Sequence, residues 1–187
     1  MCLKYDDYVG DDEVEVLKVG ESSLAFGSVV EISSEEDYFC SIHVSKYRMN
    51  KEIGFRTKLL QILEDFDLQY RHLPSGIDSL TLVLYGNQLH QKLEGKLLQR
   101  INTELSPDEV TTKRKLALIT VVEGKTPYTG DGIARATKVL AEKSIHVEMI
   151  HMNQASSQIN LVFGVNAHDK NRAVAALYDE FSADVPV

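Results

Sequence analysis

Tyr38, Cys40, Ile42 and Val44 recur at every second position, the period-2 signature of a half-buried strand, and predict a strand over 38–44. After the polar stretch 45–52, Phe55, Leu59, Ile62, Leu63 and Phe66 follow the spacing of one helical face and predict an amphipathic helix. Residues 68–73 form a short extended piece, broken by Pro74, Ser75 and Gly76. Leu80, Leu82 and Leu84 then alternate within a second strand over 77–85. From Asn87, read as the helix cap, Leu89, Leu93, Leu97, Ile101 and Leu105 recur every four residues and stop before Ser106 and Pro107.

The second half repeats this order. A strand is expected over 116–122, a glycine-bearing loop over 123–131 and a helix over 132–143. Strands over 145–149 and 159–165 and a helix over 168–181 follow. The fold class is therefore α+β: two ferredoxin-like βαββα units, each an antiparallel sheet with both helices on one face. Residues 28–113 make the first unit and 114–187 the second, with 1–27 unassigned. A leading apolar segment over 28–32, with Val29 and Val30, forms an extra strand that can join the second sheet. Uncovered sheet faces and edges favour pairing between units or between chains, so a dimer is expected.

Composition narrows the function classes. The formal net charge of -8 opposes binding to phosphate backbones, which excludes nucleic acid as an expected partner. No apolar run approaches the roughly 18 residues that span a bilayer, and the acidic start, with Asp6, Asp7, Asp11 and Asp12, lacks a signal pattern. No membrane association and a cytoplasmic location are expected. Cys2 and Cys40 have no metal-ligand spacing and are too few for a disulfide framework. The six histidines form no HExxH motif, and no phosphate-binding loop, dinucleotide fingerprint or nucleophile motif is present. Neither catalytic residues, a metal nor a cofactor is expected.

What remains is a pair of helix starts. Met49, Asn50, Lys51, Glu52, Ile53, Gly54 and Phe55 make the first, and Thr129, Gly130, Asp131, Gly132 and Ile133 the second. A helix N-terminus presents free N–H groups and a partial positive charge that can hold a carboxylate, and glycine lets a ligand approach the backbone. Opposite the first start, the turn 72–78 supplies Asp78, a carboxylate able to hold an ammonium group. Together these describe a site for a free amino acid; a turn residue bonding its own backbone is the equally weighted reading of Asp78. In the second unit Asn153, Gln154, Ser156, Ser157 and Gln158 occupy the corresponding turn, to hold a polar ligand or to solvate a loop.

The stretches SIHVSKYRMNKEIGF and HLPSGIDSLTLVL resemble the first ACT domain of aspartokinases, most nearly the single-function, lysine-responsive bacterial type. LSPDEV and LALITVVEG continue the likeness, and IHVEMI, NQASSQINLVFGV and RAVAALYDEF resemble the second ACT domain, so that Val29 to Phe181 is covered in order. The resemblance implies tandem ACT domains that bind a pathway end product, lysine or threonine, and control a kinase that phosphorylates aspartate. It implies an effector near Met49, Asn50, Ile53, Gly54 and Phe55, closed over by Ser75, Gly76, Ile77 and Asp78. It also implies a homodimer through the ACT domains and an aspartokinase catalytic chain as partner. The family's lysine-containing KFGG-like start and catalytic domain are absent from this sequence, so no kinase activity is expected of it. A non-sensing assembly subunit, or a truncated relic of an aspartokinase, is the alternative. In the second unit Asp131 and Gly132 stand where the family has Pro-Gly, and His151 and Met152 lengthen the turn by two residues. A second effector site there would use Asp131, Gly132, Ile133, Asn153, Gln154, Ser156 and Ser157.

Overall fold

The computed structural model describes the backbone of residues 14–18, 29–35, 38–124, 131–154 and 158–182, and the side chains of 38–122, 131–153 and 159–181. In chain order the elements are β1 (Val14–Lys18), β2 (Val29–Glu35), β3 (Phe39–Ser45), α1 (Phe55–Asp65), β4 (Tyr70–His72) and β5 (Ser79–Tyr85). They continue with α2 (Gln91–Leu105), β6 (Glu109–Gly124), α3 (Gly132–Glu142), β7 (Val147–Gln154), β8 (Gln158–Asn166) and α4 (Lys170–Ser182). The chain divides into two compact units. One is Tyr38–Leu116; the other takes β1, β2, β6 from Ala117 onward, α3, β7, β8 and α4. The βαββα order recurs, as β3-α1-β4-β5-α2 and as β6-α3-β7-β8-α4.

In the Tyr38–Leu116 unit β3 pairs antiparallel with β5 and with the first part of β6, and β5 pairs antiparallel with β4. Cys40, Ile42 and Val44 of β3 and Leu80, Leu82 and Leu84 of β5 all reach one sheet face. There they meet Phe55, Leu59, Ile62 and Leu63 of α1 and Leu97, Ile101 and Leu105 of α2. The two-residue period of the strands and the three-to-four-residue period of the helices thus converge on one core. Arg100 on α2 reaches Asp65 on α1 and Glu104 one turn on, each at 2.5 Å, and the hydrogen bond from Arg100 holds the Asp65 carboxyl below its usual range. The opposite face carries Ser41, His43, Ser45, Ser79 and Thr81, with His43 Nδ1 3.0 Å from Thr81 Oγ1.

Several boundaries differ from those the sequence predicts. Asn87 does not cap α2; the helix begins four residues later, after His90. Residues 86–88 are used instead to turn off β5, with Gly86 N–H donating to the Tyr38 carbonyl at 2.8 Å and Gln88 N–H to Tyr85 at 3.2 Å. Gly86 has no room for a side chain, because a Cβ there would lie 2.5 Å from the Tyr38 carbonyl oxygen. Gly86→Ala is expected to cost about 2 kcal/mol through forced backbone displacement, readable as a lower denaturant midpoint at unchanged slope. β6 begins at Glu109, not at 116. Its first part pairs with β3 alone among the described residues and carries Glu109, Lys113 and Lys115, charges suited to an edge strand but giving no apolar alternation.

In the other unit β1 pairs antiparallel with β2, β2 with the second part of β6, β6 with β8, and β8 antiparallel with β7. Ala117, Ile119 and Val121 of β6 and Ile159, Leu161, Phe163 and Val165 of β8 share a core with Ala136, Val139 and Leu140 of α3 and Ala173, Ala176, Leu177 and Phe181 of α4. Arg135 fastens α3 to α4 through a 2.9 Å pair with Glu180 and by stacking 4.8 Å from the Phe181 ring centroid. β7 runs past the expected Met149 to Gln154, so His151 and Met152 lie in the strand, opposite Val162 and Leu161, and do not lengthen a turn. A short 3-10 turn, Ala167–Asp169, precedes α4, which therefore starts at Lys170 instead of His168.

Candidate functional site

The first helix start and the turn before β5 lie side by side. Lys46 N–H donates to the Asp78 carbonyl at 2.8 Å and Asn50 N–H to the Ile77 carbonyl at 3.1 Å. Arg56, in the first turn of α1, donates from its guanidinium to the Gly76 carbonyl at 3.1 Å. Between them, residues 49–51 form a 3-10 turn entered through Arg48 at φ 58°. The turn itself is closed by Gly76 N–H on the Ser79 carbonyl at 2.7 Å and Thr81 N–H on the Pro74 carbonyl at 2.8 Å.

α1 starts after Gly54, whose φ of 84° is a left-handed conformation that glycine adopts without strain, and no side chain caps the helix. The space above Gly54 is open: a Cβ built there meets nothing within 4 Å. Gly76 is under no comparable constraint, since its Cβ would meet Ser79 Oγ at an ordinary 3.5 Å. Of the nine residues expected at this site, Asn50, Ile53, Ser75, Gly76, Ile77 and Asp78 are exposed and Gly54 is half-exposed. Met49 and Phe55 are buried, 2% and 1% exposed, and belong to the core beneath the loop. Ile53 is 99% exposed and Ile77 69%, an apolar pair on the surface of the two adjoining segments.

Asp78 is exposed, and among the described residues its carboxylate has no hydrogen bond or ion pair, to its own backbone or to any other group. Lys46, whose N–H holds the Asp78 carbonyl, has its ammonium engaged elsewhere. Lys46 Nζ pairs with Glu52 at 2.6 Å, donates to the Leu105 carbonyl at 2.7 Å and lies 5.4 Å from the Phe55 ring centroid. The result is a free carboxylate on one segment beside an open, uncapped helix start on the other. That pairing suits a zwitterion of amino-acid size, with ammonium toward Asp78 and carboxylate toward the α1 amides. Sequence reasoning misses Lys46 and Arg56. The Lys46–Leu105 contact joins residues 59 apart, beyond any local pattern.

The second set is less assembled. Asp131 is exposed at the α3 cap position with φ −92° and ψ −15° and makes no side-chain cap bond, Gly132 is buried, and Ile133 is 36% exposed. Asn153 is exposed near the end of β7, and Gln154 is its last residue. Ser156 and Ser157 lie outside the described residues, as do Thr129 and Gly130.

No cluster of metal-ligating side chains occurs among the described residues. Burial pushes the Cys40 thiol up to about 11, and it donates to the Leu84 carbonyl at 3.7 Å, so at neutral pH it is an inert core thiol. Cys2 lies outside the described residues. No helix among the described residues is long and apolar enough to cross a membrane.

Residues 131–181 match the family model described as ACT domain. The chain is 45% identical to Aspartokinase 3 of Bacillus subtilis over 159 residues, which cover 85% of this chain and 34% of that protein. It resembles the crystal structure of Clostridium acetobutylicum aspartate kinase with a TM-score of 0.73 at 29% identity, covering 86% of this chain and 36% of that one. It also shares its fold with the regulatory subunit of aspartate kinase from Thermus flavus, with a TM-score of 0.65 at 15% identity over 82% of this chain and 99% of that one. The chain thus spans about a third of the length of the Bacillus and Clostridium proteins, at 34% and 36%.

Proposed function

For a chain that is an ACT region of the aspartokinase regulatory type, we propose that it is an allosteric module that binds a free amino acid and regulates the phosphorylation of aspartate. The carrying observation is the unpaired Asp78 carboxylate on a turn that two backbone hydrogen bonds, from Lys46 and Asn50, join to the loop leading into α1. On this reading the effector's ammonium pairs with Asp78, its carboxylate takes first-turn amides of α1 after Phe55, whose own N–H donates to the Glu52 carbonyl at 3.3 Å, and its side chain lies along Ile53 and Ile77. Lysine or threonine is the effector, the working form is a cytoplasmic homodimer through its ACT domains, and an aspartokinase catalytic domain or chain is what it controls. Binding acts by favouring one of two arrangements of the module, with a coupling free energy of about 1–3 kcal/mol.

The test is the thermal unfolding midpoint with each of the twenty amino acids at millimolar concentration, together with the mass in solution. A native-state ligand at a hundred times its Kd stabilises by about 2.7 kcal/mol. Lysine or threonine is expected to raise the midpoint selectively in a dimeric protein. A stable dimer that none of the twenty amino acids shifts would overturn the sensor and leave an assembly module.

A further inference from the structure

Lys46 is the point at which three segments of the Tyr38–Leu116 unit are tied together. Its backbone N–H holds the Asp78 carbonyl at 2.8 Å. Its ammonium is bound by the Glu52 carboxylate at 2.6 Å, by the carbonyl of Leu105, the last residue of α2, at 2.7 Å, and by the face of Phe55, 5.4 Å to the ring centroid. A carboxylate, a carbonyl at the negative end of a helix and an aromatic face are the parts of an ammonium-binding cage. Here the chain's own lysine fills it. Next to it, Tyr47 N–H donates to Asp108 Oδ2 at 2.5 Å and Asp108 N–H to the Ser45 carbonyl at 2.9 Å, so the loop root is stitched to the α2–β6 connection from both sides.

We propose that Lys46 is the positioning residue of the amino-acid site: its tethered ammonium holds the 46–54 loop in the shape that receives the effector. The proposal rests on the reading of that loop as the effector site. Without the ammonium, Glu52 loses its cation and the Leu105 carbonyl its donor, and what still ties the loop is the Tyr47 N–H bond to Asp108, the backbone bonds of Lys46 and Asn50 to Asp78 and Ile77, and the buried Met49 side chain. The distance between Asp78 and the start of α1, which sets whether both ends of one amino acid are held, then ceases to be fixed.

The experiment is amide exchange at Met49, Asn50, Lys51 and Glu52 in the wild type, in Lys46→Ala, and in Lys46→Ala with propylammonium chloride, each with an amino-acid titration. Exchange in Lys46→Ala is expected to be at least about tenfold faster at these amides, and amino-acid affinity about tenfold weaker. Propylammonium, which restores the missing atoms, should reverse both along one saturation curve, and propanol should reverse neither. Unchanged exchange in Lys46→Ala overturns the proposal whatever the amino acids do, as does an amine that restores nothing. A loop that loosens and is restored, in a wild type that binds no amino acid, overturns the effector reading instead and reduces Lys46 to an anchor of the fold. If Lys46→Ala does not fold, Lys46→Met keeps the aliphatic stem, and unchanged exchange there overturns the proposal equally.

Discussion

Asp78→Asn is expected to weaken binding of the amino-acid effector about thirtyfold, close to 2 kcal/mol, the range of one charge-assisted hydrogen bond lost from a desolvated complex. The substitution keeps the shape of the side chain and removes its charge. Stability should change by less than about 0.5 kcal/mol, because the carboxylate is exposed and holds nothing in the free protein. The structural duty of this position belongs to its backbone: the Asp78 carbonyl accepts from Lys46 N–H, and that bond survives a change of side chain. Calorimetric titration beside a denaturant curve separates the two quantities. Unchanged affinity removes Asp78 from the site, and a large loss of stability shows that the carboxylate has a partner in the native state.

The elements legible in the sequence are those whose burial is one-sided. Phe55, Leu59, Ile62 and Leu63 lie on one face of α1, and Leu80, Leu82 and Leu84 on one face of β5, so the periodicity of the apolar positions carries the periodicity of the backbone. The first part of β6 has no such record, since an edge strand bearing Glu109, Lys113 and Lys115 buries little, and its pairing with β3 is long-range. The end of β7 is hidden for a related reason: Ile150, Met152 and Asn153 are exposed, so no burial pattern marks it as a strand. At α2 the sequence offers Asn87 as a cap, a local signal that loses to the close packing of Gly86 on the Tyr38 carbonyl.

The candidate site divides in the same way. Met49 to Phe55 and Ser75 to Asp78 are continuous strings whose glycines and polar residues can be read locally, and the structure brings the two together through Asn50 and Ile77. The parts that no string reveals are the ties across the fold: Lys46 with Leu105, Tyr47 with Asp108, Arg56 with Gly76. Nor does sequence distinguish the two roles that neighbours play there. Ile53 and Phe55 are two positions apart and both apolar, yet one is almost wholly exposed and the other almost wholly buried.

That difference gives Phe55→Ala the largest expected effect on stability. Phe55 opens α1, is 1% exposed and packs in one cluster with Leu59, Met49 and Leu84, so truncation removes its transfer free energy and leaves a cavity. Large-to-small changes of this kind cost about 3–5 kcal/mol. At about 4–8 °C per kcal/mol for a unit of this size, the unfolding midpoint should fall by more than about 10 °C. The Lys46 ammonium also loses the aromatic face 5.4 Å away, so the loop above the cavity loosens with the core. Ile53→Ala, by contrast, should change stability by less than about 0.5 kcal/mol and report only on binding or association at the surface. Since a ligand stabilises only the folded state, saturating effector should recover part of the Phe55→Ala deficit, up to about 2.7 kcal/mol at a hundred times Kd. A loss below about 1 kcal/mol in Phe55→Ala would mean that the start of α1 does not rest on the core, and that the helix end offered to the effector is not held where the Asp78 carboxylate can use it.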